Sequence, residues 1–98
     1  MAGMIRLTPE ELRTSAIKYS QGSTEITDIL NSLTAEQQRI AGNWAGASFE
    51  KFQAQFESLT PKVKQFSTLL QEIHDQLVSV AQVLQDTDQN IASQINTL

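Results

Sequence analysis

The chain has 98 residues, 40% of them hydrophobic, no cysteine and a net charge of −4. This is the size and composition of one small globular domain. It excludes disulfides and thiolate metal sites, and it lacks the basic footprint of a nucleic-acid binder or of a protein that docks on anionic lipid.

No apolar run exceeds two residues. A membrane-spanning helix needs about 20, and the core of a cleavable signal peptide about 7–15. By signal-peptide logic alone the protein is cytoplasmic.

The first helix signal is Thr8-Pro9-Glu10-Glu11. Thr8 suits an N-cap, Pro9 the first helical position, and Glu11 closes a capping box. From there Leu12, Ala16, Tyr19, Ser23, Ile26, Leu30, Leu33, Gln37, Ile40 and Trp44 recur at alternating four and three spacing. That is the period of a helix packed on another helix, and it predicts a helix over about 9–41. Gly22-Ser23 is a weak point in it, and small residues there admit a bulky aromatic from the facing helix. Gly42 is expected to end the helix in the left-handed conformation, with a turn over 42–46.

The second stripe is Phe49, Phe52, Phe56, Leu59, Val63, Phe66, Leu70, Ile73, Leu77, Val80, Leu84, Thr87 and Ile91, predicting a helix over about 47–94. The stripe keeps its phase through Pro61, so one bent helix is expected, with a fresh N-cap at Thr60 as the alternative. A turn this short makes an antiparallel hairpin. Ile40 should face Phe49, Leu33 Phe56, Leu30 Leu59, Ile26 Val63, Tyr19 Leu70 and Leu12 Leu77. The first helix then runs out near residue 80, leaving 81–98 as an overhang.

Two helices side by side leave much of both stripes in water, and a chain of this size buries little core alone. The fold class expected is all-α: an antiparallel two-helix hairpin that dimerises into a four-helix bundle. The core and dimer contacts should come from Ile26, Ile29, Leu30, Leu33, Ile40, Phe49, Phe52, Phe56, Phe66 and Leu69. These residues leave open whether the second chain is identical.

Catalytic groupings are nearly absent. Glycines at 3, 22, 42 and 46 fit no phosphate-binding loop. His74 lies mid-helix, and Glu72, two residues away, points to another face. No ligand cluster calls for a metal. The chain therefore reads as a non-enzyme without cofactor. Its twelve glutamines read as solvated outer faces. A second class of function is a membrane-active effector, the hairpin opening onto a bilayer when acid protonates its carboxylates.

Two features remain. Trp44-Ala45-Gly46 sits at the turn, where Trp44 can close the bundle end over Ile40 and Phe49. On the overhang, Leu84, Asp88, Ile91 and Ile95 line one helix face, three apolar anchors around one carboxylate. Such spacing suits helix-in-groove docking. The four acids beyond residue 64 (Glu72, Asp75, Asp86, Asp88) stand without a Lys or Arg, so the net charge lies at this end.

A chain of this length, a helical hairpin, Trp-x-Gly at its turn and the tail Leu84-x-x-x-Asp88-x-x-Ile91-x-x-x-Ile95 together resemble the WXG-100, or ESAT-6-like, family of type VII secretion substrates. Leu84 stands where actinobacterial members carry Tyr, so the chain looks more like the Firmicutes branch, typically homodimeric. The resemblance implies export without a signal peptide as a folded dimer, with itself or a related small WXG protein. It implies recognition of the tail by a membrane secretion ATPase of the FtsK/SpoIIIE type. It also implies help in exporting other substrates, a part in virulence, and an extracellular or cell-surface location.

Overall fold

The computed structural model describes residues 7–44 and 46–96, with side chains as far as 91. Two helices, α1 (Pro9–Ala41) and α2 (Ala47–Asn96), run antiparallel in a rod with principal extents of 79 × 23 × 17 Å.

Helix α1 begins where its sequence signal places it. The Glu11 amide donates to Thr8 Oγ1 at 3.1 Å, and the Thr8 amide donates to the Glu11 carboxylate at 3.2 Å. This reciprocal pair satisfies two amides that a helix start leaves orphaned.

The C-terminus of α1 departs from expectation. Gly42 is right-handed, with φ −71° and ψ −17°. Asn43 explains why a left-handed residue is not needed. Its side chain donates to Arg39 O at 3.0 Å and its amide to Ile40 O at 3.0 Å, so the last carbonyls already have partners. The positive φ falls at Gly46 instead (122°), and the Gly46 carbonyl accepts the first bond of α2 from the Glu50 amide.

Helix α2 runs unbroken through Pro61. Thr60 does not start a new helix, and its hydroxyl donates back to Phe56 O at 3.0 Å.

The register is close to that expected. Ser23 Oγ lies 2.8 Å from Ser67 Oγ, and Arg13 donates to Gln82 Oε1 at 3.2 Å. What fills the seam is different. On α1 the row nearest α2 is Ala16, Ser23, Leu30 and Gln37; on α2 it includes Thr60, Ser67 and Ala81. Ser67 also bonds Ser23 O at 3.0 Å and Thr27 Oγ1 at 3.0 Å, which makes a hydroxyl layer across the middle of the hairpin.

The expected core pairs Leu33–Phe56 and Leu30–Leu59 are not the centre of the contact: Leu33 and Leu59 are half exposed. Small and hydroxyl side chains let the helices meet along their own row. The bulky residues are displaced to one shoulder. Among the described residues the buried apolar ones are only Leu12, Ala16, Leu30 and Ala81. Gln37 is also buried, and its Nε2 has no hydrogen-bond partner, a penalty of about 1–3 kcal/mol unless water or another chain supplies one.

Candidate functional site

The structure offers a surface, a turn and a tail. The surface is the apolar shoulder. Phe52, Leu59, Phe66, Ile73 and Val80 stand seven residues apart on α2, and all but the half-buried Ile73 are exposed. Beside them lie Ile29 and Leu33 of α1 and Leu69 of α2, and Ile29, Leu33, Leu59, Phe66 and Leu69 are each 49–59% exposed. Half burying such a side chain leaves about 1 kcal/mol still to be gained. Ile26, Ile40, Phe49 and Phe56 are half-buried at the edge of the seam, and Leu30 alone of the ten expected core and dimer residues is buried. A contiguous face of this kind marks an interaction surface.

The turn carries an aromatic cluster. Trp44 lies 5.6 Å from the Phe49 ring at a 58° tilt and 5.7 Å from Phe52, nearly stacked at 29°. Its cover is therefore over both Phe49 and Phe52, a neighbour that sequence spacing did not single out. Trp44 is still 40% exposed. Gly46, with its positive φ, occupies a conformation that costs a residue with a Cβ about 1–3 kcal/mol. Ala45 lies outside the described residues.

The tail follows from unequal helix lengths, 33 residues in α1 against 50 in α2. The overhang starts later than expected. Ala81 is fully buried and Leu84 and Gln85 half-buried, whereas 86–91 are all exposed. The start of α1 reaches this far, Arg13 donating to Gln82, so residue 81 still has cover. Of the four expected docking residues, Leu84 is half-buried and Asp88 and Ile91 are exposed; Ile95 lies in α2 with its side chain outside the described set.

His74 lies half-buried on the flank, its Nδ1 2.9 Å from Asp75 and 3.3 Å from Gln71. Among the described residues no three His, Asp or Glu side chains are grouped as a metal would need, and no helix is long and apolar enough to cross a membrane. The hydroxyl layer of Ser23, Thr27 and Ser67 escaped sequence reasoning; the signal was Ser23 interrupting an apolar stripe.

The family model described as proteins of 100 residues with WXG matches residues 4–89. An ESAT-6-like protein of Streptococcus agalactiae is 52% identical over 92 residues, covering 94% of this chain and 96% of its own. The type VII secretion system extracellular protein A of Staphylococcus aureus is 46% identical over 90 residues, covering 92% and 93%. Among solved structures, EsxA of Geobacillus thermodenitrificans superposes with a TM-score of 0.84 at 43% identity, over 94% of this chain and 99% of that one. A variant of the secreted protein EsxB from Bacillus anthracis does so at 0.79 and 30%, over 89% and 97%. The helical hairpin with Trp44 and Gly46 at its turn is thus that of a known group, and the chain belongs to the WXG100 family.

Proposed function

We propose that this protein is a small substrate of a type VII secretion system, exported as a folded dimer and recognised through its C-terminal helix. The observation that carries the reading is the half-exposed shoulder of Ile29, Leu33, Leu59, Phe66 and Leu69 beside a helix that outruns its partner. The first requires a second chain to cover it, and the second presents a free docking helix. The names of the relatives as type VII extracellular proteins support the export route.

In this reading two hairpins pack antiparallel through their shoulders, so the turn of one chain lies toward the tail of the other. Trp44 and Gly46 of one chain, with Leu84, Asp88, Ile91 and Ile95 of the other, form one composite signal for a membrane secretion ATPase. Asp88 supplies specificity, because a buried carboxylate requires a donor in the receptor. The test is export from a producing strain with and without the ATPase. Trp44→Ala and Asp88→Ala, each shown to remain helical and dimeric, should accumulate inside the cell. Normal secretion of both would overturn the composite signal.

A bilayer-opening role uses the same shoulder and therefore competes with dimerisation. Acid-dependent leakage from anionic liposomes that Leu59→Asp abolishes would favour it.

A further inference from the structure

On the shoulder face, Gly22 opens a cleft of about 270 Å³ lined by Lys18, Tyr19 and Leu70. Leu70 forms its floor, with Cδ1 3.5 Å from where a Gly22 Cβ would stand. The facing side chain within the hairpin is thus a leucine and not the aromatic expected from sequence, and the cleft above it stays open. Gly22 stands seven residues before the exposed Ile29 and so shares its face.

Two hairpins laid antiparallel, shoulder on shoulder, are related by a two-fold axis that runs across the rod. Such an axis sets α1 on α1 of the other copy and α2 on α2. The contact is self-complementary, so a residue before the axis meets the residue equally far beyond it. Overlap is greatest when the axis crosses the middle of the paired length. That length runs from Arg13 to Ala41 on α1 and from Ala47 to Gln82 on α2, so its middle falls near residue 27 and between residues 64 and 65.

The apolar rows match themselves about this level. On α2, Val63 and Phe66 lie equally far on either side of it, as do Leu59 and Leu70, and Phe56 and Ile73. Each pair is apolar on both sides. On α1, Ile26 and Ile29 straddle the axis, and the next pair outward is Gly22 and Leu33. Leu33 is 50% exposed, and its counterpart is the one shoulder position of α1 where a cleft replaces a side chain. Lys18, on the rim of that cleft, comes level with Glu36 of the second copy, which puts opposite charges at the edge of the contact. Moving the axis by half a heptad, the next setting that keeps both rows in step, shortens the overlap.

We infer that the Gly22 cleft is the socket for Leu33 of a second copy of this chain, and that this reciprocal pair fixes the register and selects self-association. The inference rests on the dimer proposed above and deepens it by naming the residues that decide partner and register. A related small chain with a side chain at the glycine position would close the socket to Leu33.

The first experiment reads the register. The chain has no cysteine, so a Gly22→Cys chain mixed with a Leu33→Cys chain can be treated with a short bismaleimide. The mixture should give a cross-linked pair, and neither variant alone should, because each position lies well away from its own copy across the axis. The second experiment is sedimentation equilibrium on the full chain and its variants, with helicity checked by circular dichroism. Leu33→Ala empties both sockets of the dimer and should raise its Kd at least about tenfold. Gly22→Leu fills both and should do the same. Gly22→Ala has room for its Cβ and should change the Kd less than about threefold, which separates blocked docking from a fault in the helix. Gly22→Leu with Leu33→Ala exchanges bulk across the contact. It should bind more tightly than the two single changes predict together, since residues in contact are not additive. A wild-type chain that stays monomeric at high micromolar concentration overturns the dimer itself. A stable wild-type dimer that gives no mixed cross-link, or in which the single changes have little effect or simply add, overturns the socket alone.

Discussion

The hairpin has two unlike sides: an inner seam and an apolar shoulder. In the seam Ala16, Ser23, Ser67 and Ala81 are small, and Ser23, Thr27 and Ser67 hydrogen-bond across it. On the shoulder Phe52, Leu59 and Phe66 are large and exposed. Burial of apolar area is the main favourable term in folding and association, and here Ile29, Leu33, Leu59, Phe66 and Leu69 keep about half of their surface in solvent. The seam sets register and spacing within one chain, and in the proposed dimer the shoulder supplies the drive to associate. Such a dimer couples its stability to its concentration.

The largest expected effect lies on the shoulder. Leu59→Asp places a charge where a second chain must cover it. It should weaken the dimer by at least about 100-fold, because an unpaired buried carboxylate is worth several kcal/mol at about 1.4 kcal/mol per tenfold. Sedimentation measures this, and an unchanged dimer would remove the shoulder from the interface.

The seam should respond to bulk. Ser67→Leu forces a large side chain into the hydroxyl layer and should lower the unfolding free energy by about 1–3 kcal/mol in urea at fixed chain concentration. If Ser67→Leu were as stable as wild type, the close approach of the helices would not depend on small residues.

A smaller gain is expected at Gln37. Its buried Nε2 lacks a partner in the hairpin, so Gln37→Leu should add about 1 kcal/mol. A loss there would mean that the amide finds its acceptor in water or in the second chain.

The smallest effect belongs to the outer surface. Arg39 donates to the Glu36 carboxylate from both Nε and Nη2, and this bonding holds the Glu36 carboxyl below its ordinary range. A lowered folded value means that the contribution is complete above the ordinary carboxylate value. It is lost as pH falls through the lower one. Both side chains are exposed, and solvent and salt screen such a pair. Glu36→Gln should leave the melting temperature within error and flatten this part of the pH profile; a clear drop would show a structural role for the pair.

Local chemistry was the legible part of this fold. Thr8, Pro9 and Glu11 announce the start of α1 because every group in a capping box lies within one turn. The two helices follow from three-four periodicity, which survives Pro61 because the proline is exposed and the stripe on the opposite face continues. The two glycines flanking the turn were harder. Either could take a positive φ, and the choice of Gly46 over Gly42 came from Asn43 satisfying the end of α1. The overhang was legible in kind because the second stripe is longer than the first. Its start was misplaced because burial at Ala81 depends on how far the first turn of α1 reaches.

The sequence by itself determined that there are two helices, where they begin, that they pair antiparallel, and that apolar surface is left over. Only the tertiary structure decided which surface that is. On α2 the rows Phe49, Phe56, Val63, Leu70, Leu77 and Phe52, Leu59, Phe66, Ile73, Val80 are equally apolar and equally spaced. Neither is the true seam. The helices meet along a third row, through Thr60, Ser67 and Ala81, because two helix backbones approach most closely where side chains are small and hydroxyls can bond across the gap. That choice keeps the first row half-buried and leaves most of the second exposed.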